Sequence, residues 1–197
     1  MIAVKDNDRH FTPEEYFAWE EQQLERHELI EGQVYAMSGG SKNHSVIAGN
    51  CLLLLKLHLR GSQCSIFNSD LKVNILNTRN YTYPDLSVTC EPSDNFSTQY
   101  ITYPCLIVEV LSSSTEAYDR GKKFEKYRRN PSLIDYVLVS SEEMAIDIYH
   151  RNDAGDWLIL SYRSGDRVEL KSIDLSVPIE QFYEEIVFEL SPDADQG

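Results

Sequence analysis

Long hydrophobic runs are missing from this 197-residue sequence. No stretch comes near the roughly 18 consecutive apolar residues that a membrane-spanning helix needs. The first ten residues, MIAVKDNDRH, are too charged for a secretory signal peptide. The sequence therefore predicts no membrane association and a cytoplasmic location.

Cysteine pairs with metal-site spacing are also missing. The four cysteines stand far apart, with no Cys-x-x-Cys pair and no histidine directly beside them, which argues against zinc. Free cysteine behaves as a small hydrophobic residue. We therefore expect all four to be buried free thiols in a reducing compartment: Cys51, Cys64, Cys90 and Cys105.

Positive charge is scarce overall and concentrated in one segment. Against 18 Lys and Arg stand 32 Asp and Glu, a formal net charge of −14, which is the wrong sign for a protein that coats a nucleic acid by counterion release. Residues 120–129 nevertheless read RGKKFEKYRR, whereas residues 14–25 and 184–195 are strongly acidic. The sequence allows a local basic face on an acidic protein.

The N-terminal half shows clear start and stop signals for helices. Thr12 as N-cap, Pro13 at the first helical position and Glu15 in a capping box predict a helix over about residues 13–25. Alternation around Glu31-Gly32 predicts a hairpin or two short strands. Residues 44–60, HSVIAGNCLLLLKLHLR, predict a central helix that is apolar around most of its circumference and ends at Gly61.

Strands dominate the rest of the chain. Residues 65–76 and 83–90 predict neighbouring antiparallel strands, and residues 104–111 predict a short buried strand. A helix follows within residues 112–129 and stops at Asn130-Pro131, then a strand at 134–140, a strand meander and a short helix at 178–186. The fold class is α/β, with a mixed sheet flanked by helices and a β-rich C-terminal addition. We expect one domain over residues 1–190 and a polar tail over 191–197.

Two acids, Asp85 and Glu109, fall inside predicted strands whose composition is otherwise typical of a buried core. Carboxylates are almost never fully buried without a partner. Two ionised carboxylates about 4 Å apart repel by roughly 4 kcal/mol at an effective dielectric near 20, so a converging pair calls for a cation or a shared proton. Mg²⁺ with oxygen ligands is the simplest answer. The alternative is that Asp85 starts a strand at its solvated end and Glu109 lies on a polar face.

The basic segment offers a possible third member of such a site. Asp119 and Lys123 are four residues apart and share a helix face. If this helix packs over the strand ends, Lys123 reaches the two acids. The alternative interpretation is a solvated basic helix face.

Several separated motifs carry a resemblance to a known family. They are Tyr83-Pro84-Asp85, the strand that ends Glu109-Val110-Leu111-Ser112, Asp119-Arg120-x-x-Lys123 with Tyr127, and the segment ELIEGQVYAMSGGSKNHS. In these motifs the chain resembles, from about Thr12 to Ser140, the Uma-type restriction endonuclease family. That family is numerous in cyanobacteria, was long classed as a domain of unknown function and belongs to the PD-(D/E)XK nuclease superfamily.

The resemblance implies a restriction-endonuclease-like fold and a set of site residues. Asp85 and Glu109 would bind Mg²⁺ or Mn²⁺. The superfamily usually has its lysine two positions after the acid, where this chain has Leu111. In the family that the chain resembles, the following helix supplies the lysine, and Lys123 matches it. Further matching or supporting positions are Glu31, His44, Asp70, Asp119 and Arg120.

Three functions remain open at this stage. The first is a metal-dependent endonuclease that hydrolyses phosphodiester bonds in DNA and acts as a homodimer, since two symmetric sites cut both strands of a duplex. The second is a catalytically inactive nuclease-fold module for binding or assembly, which the charge of −14 and Leu111 favour. The third is glycosidic hydrolysis by paired acids.

Overall fold

The computed structural model describes residues 2–3, 10–37, 39–75 and 79–188. The helices are α1 (Pro13–Glu20), α2 (Lys42–His58), α3 (Glu116–Tyr118) and α4 (Phe124–Tyr127). The first seven strands are β1 (Ile2–Ala3), β2 (His27–Ile30), β3 (Gln33–Ala36), β4 (Ser65–Asn68), β5 (Lys72–Ile75), β6 (Asn80–Thr82) and β7 (Leu86–Thr89). The others are β8 (Tyr100–Ile101), β9 (Pro104–Leu111), β10 (Asp135–Ser140), β11 (Ala145–Arg151), β12 (Trp157–Arg163), β13 (Arg167–Leu170) and β14 (Leu175–Pro178).

The strands form two six-stranded sheets and a two-stranded ladder. Sheet A has the order β1-β3-β2-β6-β5-β8, sheet B has the order β12-β11-β10-β9-β7-β4, and β13 pairs with β14. Both large sheets are mixed, because β9 and β10 run parallel in sheet B and β5 and β8 run parallel in sheet A. The predicted mixed α/β class is confirmed.

The predicted strand at residues 65–76 divides between the sheets. A turn after Asn68, closed by a backbone hydrogen bond from Leu71 to the Asn68 carbonyl, separates β4 from β5. Strand β4 pairs antiparallel with β7, as expected, with Ser65 opposite Thr89. Strand β5 joins sheet A through β6.

Strand β9 is the centre of the fold and is buried along its whole length. On one face Leu106, Val108 and Val110 pack in a cluster with Ile47 and Leu55 of α2. The other face packs against the helical segment at 116–127 and its neighbours. Helix α2 buries one side only, since Leu53 and Leu57 are more than half exposed, so the expectation that this helix is central and buried around most of its circumference is wrong.

The first helix starts as predicted and ends early. Thr12 and Glu15 form the reciprocal capping box. The helix stops at Glu20 rather than near residue 25, because the Glu20 carboxylate accepts the backbone N–H of His27 and holds the chain where β2 begins. The predicted hairpin joins β2 to β3 through Glu31 and Gly32, both at positive φ, as a two-residue hairpin turn requires.

The expectation of four free thiols is wrong for two of them. Cys64 and Cys90 form a disulfide, while Cys51 and Cys105 are free and buried. The bonded pair lies one residue beyond the Ser65 and Thr89 pair of the β4/β7 ladder, with the two Cα atoms 4.0 Å apart. Register across the sheet, which spacing along the chain does not show, brings them together.

The helical segment at 116–127 is interrupted by a wider turn. Between α3 and α4 the residues Asp119–Lys123 adopt π-helical geometry. The predicted closing helix is a 3₁₀ turn at Ile179–Tyr183. The tail at 191–197 lies outside the residues described. None of the helices described has the length and apolar character needed to cross a bilayer.

Candidate active site

One pocket of about 90 Å³ collects most of the predicted site residues, and we call it the catalytic pocket after the role predicted for them. It lies where sheet A, the start of α2, strand β9 and the helical segment at 116–127 meet. Its lining consists of Glu28, Met37, His44, Tyr83, Asp85, Glu109, Val110, Thr115, Tyr118, Asp119 and Lys123.

Asp85 reaches this pocket from the residue before β7. In the β7/β9 ladder Leu86 lies opposite Val108, so the same register continued by one residue sets Asp85 opposite Glu109. Directly opposite residues on antiparallel strands have Cβ atoms about 4.5–5.5 Å apart. Asp85 Oδ2 accepts the backbone N–H of Val110 at 2.7 Å, which fixes the carboxylate over the end of β9. The two acids therefore face the same pocket.

Glu109 projects from the middle of the buried strand and is 4% exposed. Its neighbour on the same face of β9, Leu111, is buried in the cluster with Tyr127 and Tyr136. The position at which the superfamily usually has a lysine is thus part of the apolar core.

Lys123 reaches Glu109 from the π-helical turn and is 6% exposed. Its Nζ lies 2.7 Å from Glu109 Oε1 and 3.7 Å from both Glu28 Oε1 and Asp119 Oδ1. The predicted shared face of Asp119 and Lys123 is present as this contact. The helical segment thus brings an ammonium group to Glu109. A lysine at position 111 would instead approach Glu109 along strand β9.

Negative charge exceeds positive charge in the pocket. Glu28, Asp85, Glu109 and Asp119 face one lysine and one histidine. Burial, together with Asp119 and Asp85, raises the pKa of Glu109 well above its usual range against the opposing effect of Lys123, and burial likewise raises the pKa of Asp119. Although burial alone lowers it, the pKa of Lys123 is raised well above its usual value by Glu109 and Glu28. Lys123 is therefore protonated, and the pocket favours a further cation or protons.

Glu28 is the residue that sequence reasoning missed. It lies on β2, is 3% exposed and accepts the backbone N–H of Tyr83 at 3.1 Å. The signal that identified Asp85 and Glu109, an acid inside a short apolar strand, was present in the HELI sequence of β2. From the sequence we expected Glu31, rather than Glu28, to be the site acid in the N-terminal region.

His44 lies in the first turn of α2, whose N-cap is Ser41. Its Nε2 is 3.2 Å from Asp85 Oδ2. The hydrogen bond to Asp85 raises the pKa of His44, and partial burial opposes that rise. The imidazole is thereby held beside the carboxylate as a proton donor.

Three predicted supporting residues lie outside the lining of the catalytic pocket. Glu31 is in the hairpin turn and is exposed. Asp70 pairs with Arg26 at the surface. Arg120 turns away to Glu116 and Asp147, at 2.6 and 2.7 Å.

Two buried tyrosines hold the helical segment that carries Lys123 in place. Tyr136 Oη donates to the Asp119 carbonyl at 3.0 Å, and the Tyr127 hydroxyl lies 2.7 Å from Thr82 Oγ1. Tyr127 thus connects the helical segment to sheet A, and Tyr136 connects it to sheet B.

Residues 13–180 match the Uma2 family, which is described as "Putative restriction endonuclease". This chain belongs to the Uma2 family. Two uncharacterized Synechocystis proteins (strain ATCC 27184 / PCC 6803 / Kazusa) are similar to it. The protein slr1290 is 61% identical over 177 residues, covering 90% of this chain and 93% of its own length. The protein sll1609 is 35% identical over 163 residues, covering 81% and 91%.

The fold of this Uma2 protein is similar to that of a solved structure. The crystal structure of a putative nuclease belonging to DUF820 from Anabaena variabilis superposes with a TM-score of 0.71 at 17% identity. The match covers 87% of this chain and 97% of the other. At that identity the likeness establishes the fold alone, which is the nuclease-like architecture expected from the sequence.

Proposed function

We propose that this protein is a divalent-metal-dependent endonuclease that hydrolyses phosphodiester bonds in DNA. The observation that carries the proposal is the meeting of Asp85, Glu109 and Lys123 in one pocket, although they come from a strand start, a central strand and a helix. Membership of the Uma2 family supports the same reaction class.

The donor set in the pocket fits Mg²⁺ or Mn²⁺. Both are hard cations that favour oxygen ligands, and Mg²⁺ keeps several waters while it binds one or two carboxylates. Among the residues described, no three His, Cys, Asp or Glu side chains form a ready metal cage. Two facing carboxylates, Asp85 and Glu109, in a pocket with excess negative charge are sufficient for such an ion.

The side chains divide the work of hydrolysis. Asp85 and Glu109 would hold the ion, which when bound would supply polarisation of the phosphate and a lowered pKa for a water molecule. Lys123 keeps its proton and places positive charge beside the phosphate oxygens, where charge develops in the transition state. Asp85 orients His44, whose Nε2 holds a proton at the same edge of the pocket. The water oxygen gives up one proton to solvent and forms the new P–O bond, the bond to the leaving sugar oxygen breaks, and that oxygen takes a proton from solvent.

A catalytically inactive binding module is the second candidate, and the charge of −14 favours it. The two candidates differ in what happens to DNA that the protein meets. A catalyst converts it to shorter or nicked products in Mg²⁺ or Mn²⁺, whereas a binding module leaves it intact. A glycosidase is less consistent with the pocket, because an ammonium lies 2.7 Å from one of the two acids.

The cleavage experiment uses single-stranded, linear duplex, supercoiled and branched DNA with Mg²⁺ or Mn²⁺. We expect the wild-type protein to cut at least one form, and Asp85→Ala and Lys123→Ala to lose at least about 100-fold in rate, the order of magnitude for removal of an electrostatic catalytic group. Asp70→Ala is the matched control, since this carboxylate is at the surface and outside the catalytic pocket. Intact DNA of every form with wild type would overturn the proposal.

We also propose that the protein is a cytoplasmic homodimer. In support of a dimer, strand β12 is at the end of sheet B, and its Leu158 and Ile159 are exposed.

A further inference from the structure

A second cleft adjoins the catalytic pocket, and Tyr118 lines both. We call it the basic cleft. It lies between the β2–β3 hairpin and α4, and its volume of about 560 Å³ greatly exceeds the roughly 90 Å³ of the catalytic pocket. Its lining consists of Ile30, Glu31, Tyr35, Tyr118, Lys122, Glu125, Lys126 and Arg129.

Three basic side chains of this cleft lack acidic partners. Lys122, Lys126 and Arg129 are spaced by four and three residues and share one face of the helical segment. Within the described part of the chain none of them forms an ion pair, although acids outnumber bases in the protein by 32 to 18. Arg120 and Lys123, on other faces of the segment, are both paired with carboxylates. Two acids, Glu31 and Glu125, also line the cleft, so three unpaired bases against two acids leave one net positive charge beside the catalytic pocket.

Aromatic rings stand beside these charges. Tyr35 and Tyr118 line the cleft and are half-buried. Lys126 Nζ lies 5.7 Å from the centre of the Tyr118 ring. The Tyr118 hydroxyl is buried and has no hydrogen-bond partner among the residues described. Alternating cations and aromatic rings are the elements with which proteins hold phosphates and stack bases of a single strand.

A third cleft adjoins the catalytic pocket, and His44 and Asp85 line both. Apart from those two residues it is neutral, and it is lined by Gly40, Ser45, Ala48, Gly49, Leu52, Asn68, Ser69 and Leu86. The catalytic pocket therefore shares lining residues with a basic cleft at Tyr118 and with a neutral cleft at His44 and Asp85, and we refer to the three together as the path.

We propose that this path binds single-stranded nucleic acid, with phosphates along Lys122, Lys126 and Arg129 and bases against Tyr35 and Tyr118. The strand crosses the catalytic pocket and leaves through the neutral cleft. The cleavage step rests on the proposed nuclease function, whereas the binding step stands on the path alone.

A duplex fits the path less well than a single strand. Its bases are stacked on each other, so Tyr35 and Tyr118 have no free base face to contact. A duplex also carries one phosphate per about 1.7 Å of its axis. The basic cleft offers three cations, so most of these phosphates would face a protein of net charge −14 without a basic partner. In the catalytic pocket Glu28, Glu109 and Lys123 are more than nine-tenths buried. A strand that reacts there therefore has to bend into the pocket. A flexible single strand bends in this way more readily than a stiff duplex.

The test is fluorescence anisotropy with a labelled single-stranded oligonucleotide and its duplex, in Ca²⁺ and in EDTA, with the intactness of the DNA checked afterwards. We expect wild type to bind the single strand at least about tenfold more tightly than the duplex. Lys126→Ala and Arg129→Ala should each weaken binding and reduce the slope of log K against log salt by about 0.7. Tyr35→Ala should weaken binding about tenfold, which corresponds to one lost base stack.

Matched controls separate the path from general effects. Tyr35→Phe keeps the ring and should bind like wild type. Lys171→Ala removes an exposed lysine from a separate cleft, around Pro131 and His150, and should leave affinity and salt slope unchanged. Duplex binding as tight as single-strand binding, or unchanged binding by Lys126→Ala, Arg129→Ala and Tyr35→Ala together, would overturn the proposal.

Cleavage assays with the same proteins distinguish the two proposals. Binding as predicted with no cleavage in Mg²⁺ or Mn²⁺ refutes the nuclease and leaves the path standing. Cleavage that Lys126→Ala and Arg129→Ala do not alter, with affinity also unaltered, refutes the path and leaves the nuclease standing.

Discussion

Lys123 is the residue on which the electrostatics of the catalytic pocket depend. In the described lining it is the one lysine, and three carboxylates lie within 3.7 Å of its Nζ. Removal of one partner of a buried ion pair leaves uncompensated charge and costs about 3–5 kcal/mol. The stability of the protein therefore reports on this contact independently of any activity.

Lys123→Met should lower the free energy of unfolding, and more at about pH 8 than at about pH 5. The folded-state pKa values of Glu109 and Asp119 are raised, so these acids favour folding at low pH and lose that contribution as pH rises through the raised values. Without the ammonium of Lys123 the pKa values of Glu109 and Asp119 rise further. Their contribution to the free energy of unfolding then continues to fall up to a higher pH. Urea denaturation at the two pH values measures the difference.

Two controls accompany this measurement. Lys122→Met changes an exposed neighbour and should stay within about 0.5 kcal/mol of wild type. The double variant with Glu109→Gln should recover part of the lost stability, because it removes the carboxylate closest to the missing ammonium. A loss that is the same at both pH values would contradict the assignment.

At the residue scale the sequence identified acids in core strands and missed one of them. Asp85 and Glu109 were recognisable because an acid within an apolar strand sequence is exceptional, and the same reasoning applied to Glu28; in the structure Glu28 and Glu109 are buried and Asp85 is partly buried. Lys123 could be assigned only through the family resemblance. Glu31 and Asp70 are acids that sequence alone could not separate from pocket acids, since nothing local distinguishes an exposed turn from a cavity wall.

At the element scale, the π-helical turn is the feature that places Lys123. The turn is anchored outward by Arg120, whose guanidinium pairs with Asp147 on β11, and inward by Tyr136 beneath the Asp119 carbonyl. A wider turn at this point sets the directions in which Arg120 and Lys123 leave the helix. Sequence patterns predicted a helix here and gave no sign of the π turn.

Asp147→Asn tests whether this anchor positions the lysine. Burial opposes the shift, but Ser161 and Arg120 hold the pKa of Asp147 below its usual range. Its contribution to stability is therefore present above the ordinary carboxyl pKa and is lost as pH falls through the lowered value. We expect a loss of about 1–2 kcal/mol near neutral pH, a smaller loss near pH 4, and partly reduced cleavage.

Denaturation curves and cleavage rates of the same Asp147→Asn preparation check this expectation. The matched control is Asp166→Asn, an exposed acid in a turn after β12, which should leave the cleavage rate unchanged. Full activity in Asp147→Asn despite the loss of stability would show that the anchor does not position Lys123.

Element boundaries were predicted best where local signals act alone. The Thr12 capping box and the Glu31-Gly32 turn are determined by neighbouring residues and were placed correctly. The early end of α1 depends on Glu20 reaching His27, and the Cys64–Cys90 bond depends on strand register. Contacts between distant segments decide both, and single-sequence patterns do not contain them.

At the scale of the whole molecule, the exposed edge of sheet B is the surface most suited to a second copy. Strand β12 pairs with β11 alone among the strands described, and Ile159 is 66% exposed. Unpaired edge strands with exposed apolar side chains recruit further strands. Antiparallel pairing of two β12 strands about Leu160 would set Leu158 of each copy opposite Tyr162 of the other.

Ile159→Lys should therefore convert the proposed dimer to a monomer, because it sets a charge at the centre of the shared edge. Light scattering coupled to size-exclusion chromatography measures the mass. Leu57→Lys, at a half-exposed position on α2, should remain dimeric. A monomeric wild type, or a dimeric Ile159→Lys, would contradict the dimer.

The distribution of charge over the whole molecule is compatible with the proposed nucleic-acid substrate despite the acidic composition. The charge of −14 is spread over the chain, while the free cations Lys122, Lys126 and Arg129 are gathered on one face beside the catalytic pocket. Net charge therefore says little about what that face binds. The decisive charges for binding are those of the basic cleft.

The most direct test of the central claim is anomalous diffraction from crystals of the protein soaked in Mn²⁺. We predict a manganese peak within ligand distance of one carboxylate oxygen each from Asp85 and Glu109, with the Lys123 ammonium beside it, and no such peak in crystals of Asp85→Asn. A soaked wild-type crystal with no peak at these two carboxylates would contradict the assignment of Asp85 and Glu109 as the metal-binding pair.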